Sequence, residues 1–79
     1  MKKDMKNKLT YKGYFTLIHF SAQDRVLYGK IEGIADLIAF ESDSAVQIEQ
    51  EFRAAVDDYI ESCKRNGKEP ATPPEAPRG

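Results

Sequence analysis

The sequence predicts an α+β domain in which a three-stranded antiparallel sheet (β-β-β-α) is covered by one long helix. Two observations carry this expectation. Residues 44–67 place Ala45, Ile48, Phe52, Ala55, Val56, Tyr59 and Cys63 at gaps of three and four, which keeps them near one face of an α-helix. Residues 10–41 contain three short runs rich in aromatic and β-branched residues, separated by polar or glycine-containing stretches, as strands and turns require. Three strands with an apolar face and one amphipathic helix make a two-layer sandwich.

The elements follow in order. Residues 1–9, MKKDMKNKL, form a polar basic arm with no apolar run, expected to be flexible. The first strand is predicted over residues 10–21. One face would show Tyr14, Thr16, Ile18 and Phe20, and the other Gly13, Phe15, Leu17 and His19. Ser21, Ala22, Gln23 and Asp24 read as a hairpin turn. The second strand is predicted over residues 25–32, with Gly29 marking a bulge or a close backbone neighbour, and Gly33 allowing the next turn. A third strand is predicted over residues 36–41.

Ser44 and Gln47 have the spacing of a capping box, and Asp43 lies near the positive end of the helix dipole. Lys64 and Arg65 favour the other end, Gly67 suits a left-handed stop, and Pro70 prevents resumption. Residues 10–67 thus form one α+β domain. Residues 68–79, with Pro70, Pro73, Pro74 and Pro77, read as a proline-rich tail or linker.

A chain of 79 residues makes one domain, and one this small buries only about 60% of the surface its unfolded chain exposes. Association with a second chain would therefore help it. No apolar stretch approaches a membrane span, the N-terminus lacks a secretory signal, and one cysteine cannot make an internal disulfide. A cytoplasmic setting without membrane contact is the expectation, with Cys63 as a small core residue.

The net charge of −1 conceals a division: residues 1–12 carry +4, whereas residues 21–63 carry −7. An acidic body repels phosphates, so direct binding of nucleic acid by this chain alone is not expected, and a basic protein partner is. Metal-dependent nuclease chemistry would need converging carboxylates. Asp24, Glu32, Asp36, Glu41, Asp57 and Asp58 are scattered over different turns and a helix, so no metal site is expected. His19 has no second histidine or cysteine to share a metal and no partner for base catalysis. No catalytic residue and no cofactor are expected, and the protein is not read as an enzyme.

Several pieces, in this order and spacing, resemble the HicB-like antitoxin family. They are Tyr11-Lys12-Gly13-Tyr14; Tyr28-Gly29-Lys30-Ile31 with Gly33-Ile34 and Asp36-Leu37; Phe40-Glu41; Asp43-Ser44 with Phe52 and Ala55-Val56-Asp57-Asp58-Tyr59; and Gly67-Lys68-Glu69-Pro70. The resemblance spans residues 10 to 70. It implies a partial RNase H-like sheet with one helix across it, and capture of a small basic HicA-type toxin that cuts mRNA. The C-terminal DNA-binding segment of many family members has no counterpart here. Arg25 and Ala35 replace turn residues usual in the family, and Phe15 and Leu17 stand where it commonly has small or polar residues.

The functional expectation is an antitoxin-like protein-binding module. Its toxin-binding surface would be the acidic set Glu41, Asp43, Asp57, Asp58 and Glu61, with a structural duty near the sheet conceivable for Asp58. Phe15, Leu17 and His19, on the uncovered face of the first strand, would support self-association as a homodimer or higher homo-oligomer. The alternative is a degenerate RNase H-like nucleic-acid-binding or nuclease domain.

Overall fold

A computed structural model describes residues 7–71 of the chain. The elements are β1 (Lys8–Tyr11), β2 (Tyr14–Leu17), β3 (His19–Ser21), β4 (Val26–Lys30), β5 (Ala39–Ser42) and α1 (Ala45–Arg65). β1 and β2 form one antiparallel pair, and β3, β4 and β5 a three-stranded antiparallel sheet with β4 central. The Glu32 N–H donates to the Phe15 carbonyl (2.9 Å). That bond continues the β3–β4 register, in which His19 faces Tyr28, and joins the two sheets. The α+β fold with one long helix on a three-stranded sheet is therefore present.

The predicted first strand is corrected in two places. Its start is a hairpin: Tyr11 pairs with Tyr14 across Lys12 and Gly13, whose φ values are 54° and 84°. Two successive positive φ angles characterise a type I′ turn, which matches the right-handed twist of the flanking strands. Glycine takes such an angle without strain and lysine does so rarely. The hairpin draws Lys8 and Leu9, assigned above to the arm, into β1. The strand is then interrupted at Ile18, where the β1 ladder ends. The Ile18 N–H donates to the Asn7 carbonyl (2.8 Å) and the Asn7 side-chain amide donates back to the Ile18 carbonyl (3.2 Å).

The third strand also starts later than expected, at Ala39 rather than residue 36. Residues 32–36 form turns and bends, and the Ile31 N–H donates to the Ile38 carbonyl (3.0 Å). Residues 1–6 and 72–79 lie outside the described residues, so most of the expected arm and tail falls there.

The predicted strand phase holds where the helix lies. Tyr14 and Thr16 are buried on the inner face, while Phe15 and Leu17 are half-buried on the outer one. The core joins Tyr14 and Ile31 to Phe52, Val56, Tyr59 and Cys63 of the helix. Phe40 and Phe52 pack with ring centroids 5.7 Å apart, and Tyr14 meets Tyr59 edge-on at 5.8 Å. Gly29 is a close approach, as anticipated: a Cβ there would stand 2.7 Å from Thr16 Oγ1 and 3.0 Å from the Leu17 carbonyl oxygen. Phe20, expected on the inner face, is 62% exposed, and Ala45, expected on the apolar helix face, is exposed. Both stand at the margin where the first helical turn meets the end of β3, beyond full coverage.

The helix ends lie where the residues imply, but the expected capping box is only half made: the Ser44 N–H donates to Ser42 Oγ (3.2 Å) and not to the Gln47 side chain. Ser44 Oγ accepts from the Gln47 N–H (3.2 Å). At the other end Lys68 N–H donates to the Cys63 carbonyl (2.7 Å) and Gly67 N–H to the Lys64 carbonyl (3.2 Å). This pair of bonds is a Schellman motif, with Gly67 at φ 71°.

Candidate interaction surfaces

Asp57 and Asp58 are neighbours in the chain and point about 100° apart around α1. Asp57 reaches the first hairpin. Its carboxylate accepts from Lys12 Nζ (2.9 Å) and from the Tyr11 hydroxyl (3.2 Å). The Lys12 bond holds the Asp57 carboxyl below its ordinary value, and the same bond raises Lys12. Arg53, bonded to Glu49 one turn back (2.9 Å), lies over the Tyr11 ring (5.4 Å). This flank of the helix fastens β1 and its turn to α1. The structural duty conceived for Asp58 thus belongs to Asp57.

Asp58 lies on the opposite flank, in a groove between α1 and β5 that Asp36 and Glu51 also line. Asp58 and Glu61 are exposed, and neither has an ion-pair partner among the described residues. Glu41 is exposed on β5 and Asp43 precedes the helix. The five expected toxin-binding carboxylates are therefore spread over the two flanks of α1 and the strand before it, and one of them is occupied within the chain. Among the described residues no group of three or more histidine, cysteine or acidic side chains is placed to hold a metal ion.

On the outer sheet face, Phe15 lies beneath Lys8 Nζ, 4.7 Å from its ring centroid. His19, which stood alone in the sequence, stacks on its cross-strand partner Tyr28 with centroids 5.3 Å apart and planes 30° apart. Tyr28 and the 79% exposed Leu37 share a shallow groove with His19 and Ala39. Tyr28 and Leu37 were missed as members of this face. The alternation of the second strand places Tyr28 opposite His19 once the register is known, and that of the predicted third strand places Leu37 on one face with Ala39 and Glu41, although Leu37 precedes β5.

A further contact was also not foreseen. The Tyr14 hydroxyl donates to the Ala71 carbonyl (2.6 Å), and the Ala71 N–H donates to the Tyr59 hydroxyl (2.8 Å). Two core tyrosines thus hold both main-chain groups of Ala71, in the segment expected to begin a free tail. Burial pushes the Tyr14 hydroxyl above its ordinary pKa.

Compared with known proteins, the chain matches no family model, no curated protein and no solved structure. No helix among the described residues is long and apolar enough to cross a membrane.

Proposed function

We propose that the protein is a cytoplasmic, antitoxin-like binding module that neutralises a HicA-type mRNA-cleaving toxin by direct contact. The observation that carries this reading is the pair of exposed carboxylates Asp58 and Glu61 on α1, neither of which has an ion-pair partner among the described residues. A ribonuclease needs a positive surface to hold RNA phosphates, and carboxylates complement that surface. The likeness of residues 10–70 to the HicB-like family supports the choice of partner. Asp57 is left out of the capture surface because it is bonded to Lys12 and Tyr11.

The test is titration of the cognate toxin at low and high salt. Capture should slow steeply with added salt, and Asp58→Lys combined with Glu61→Lys should weaken it while circular dichroism stays unchanged. Tight binding that ignores both salt and the double reversal would overturn the electrostatic account. It would move the contact to the apolar outer face around Phe15 and Leu17.

A further inference from the structure

We infer that the free edge of β5, with the groove between β5 and α1, docks an extended basic segment of a partner protein as an added strand. β5 is the last strand of its sheet. The bond from Ile31 to Ile38 and the register beyond it turn the main-chain groups of Phe40 and Ser42 toward β4, opposite Gly29 and Leu27. By the alternation of an antiparallel ladder, Ala39 and Glu41 turn theirs outward. Among the described residues neither makes a main-chain hydrogen bond outside the β4 ladder. An unpaired edge of this kind is a template for strand addition, with main-chain bonds supplying affinity and side-chain pockets selectivity.

The groove beside the edge supplies the selectivity. It is open, about 470 Å³ in volume, with Phe40, Ala55 and Tyr59 in its walls and the carboxylates Asp36, Glu51 and Asp58 around them. None of these three carboxylates has a hydrogen bond or ion pair among the described residues, in contrast to Asp57 and Glu49. Lys68, beyond the helix end, is the cation among the lining residues. An added strand directs every second side chain toward α1. Lysine or arginine at those positions would meet the carboxylates, with their stems over the apolar wall. A second copy of this chain fits less well, because pairing β5 with β5 would bring two acidic grooves and two Glu41 side chains together. The inference concerns the mode of docking and holds whether or not the partner is the toxin proposed above.

The experiment uses the full chain and a short acetylated peptide that alternates valine with lysine or arginine. Amide chemical shifts and hydrogen exchange are followed as peptide is added. The Ala39 and Glu41 amides should gain protection. Glu51→Lys with Asp58→Lys should weaken binding by roughly tenfold. Ala39→Pro removes an outward N–H and spares the β4 ladder, so it should abolish binding. Should that variant misfold, a peptide N-methylated at alternate amides removes the complementary bonds, those its own N–H groups would donate to the Ala39 and Glu41 carbonyls. Equal binding of the glutamate version of the peptide would overturn the inference, as would shifts confined to Leu17 and Tyr28. Protection of Ala39 and Glu41 without peptide would also overturn it, since the edge would then be covered already. No toxin enters this assay, so its failure leaves toxin capture to be judged by its own titration.

Discussion

The two faces of the sheet use similar residues to opposite ends. On the inner face Tyr14, Ile31 and Phe40 meet the helix row Phe52, Val56, Tyr59 and Cys63, and six of these seven side chains are buried. On the outer face Phe15, Leu17 and Tyr28 are no less apolar, yet they remain half-buried or exposed. Hydrophobicity alone does not distinguish the two sets. What distinguishes them is α1, the one helix among the described residues, which covers one side only. The covered face supplies stability, and the uncovered one remains available to a second copy or a partner.

The largest expected effect tests the covered face. Phe52→Ala should lower stability by about 3–5 kcal/mol through lost transfer energy and a cavity against Phe40. Chemical denaturation showing a loss under ~1 kcal/mol would mean that the helix row is not the core. Phe15→Ala sharpens the contrast. A half-buried ring under a lysine should cost only about 1–2 kcal/mol in the monomer. If this face pairs with a second copy, the loss should grow with protein concentration, and sedimentation of the parent chain should show a dimer that the variant lacks. A parent chain that stays monomeric at high micromolar concentration would reject self-association through Phe15, Leu17 and His19.

Thr16 is the exception inside the covered face. It is fully buried, and its hydroxyl has no hydrogen-bond partner among the described residues. Replacing it by valine, of nearly the same shape, should raise stability by about 1 kcal/mol. A loss of stability would show that the hydroxyl is satisfied after all, and thermal unfolding decides between the two.

The smallest effect concerns the hairpin clamp. The Asp57 carboxyl is held below its ordinary pKa chiefly by Lys12. Its contribution is therefore present above the ordinary value of 3.8 and lost as pH falls through the lower folded value. Carbon-detected NMR titration of Lys12→Met should return Asp57 toward that ordinary value. An unchanged titration would assign the shift to Tyr11 instead. Lys12 and Asp57 are exposed, so the pair should matter more for where the hairpin sits than for global stability.

Much of this architecture follows from local pattern. The 3.6-residue spacing of Ile48, Phe52, Val56, Tyr59 and Cys63 suffices for the helix and its buried side. Ser44 and Gly67 suffice for its ends, because capping involves groups within a few residues of one another. The alternation of Tyr14, Thr16 and their neighbours likewise names the two sheet faces. Tertiary structure decided what depends on distant partners. Lys12-Gly13 became a turn where β1 could pack Leu9 and Tyr11 against the core, and Asp57 gained Lys12 from 45 residues away. Phe20 stayed exposed, lining an open groove beside Ala45 and Ile48 of the first helical turns. Ala71 was held because Tyr14 and Tyr59 meet only after the helix has docked. Periodicity assigns a residue to a face, but coverage and pairing depend on which other element arrives there, and that information is spread over the whole chain.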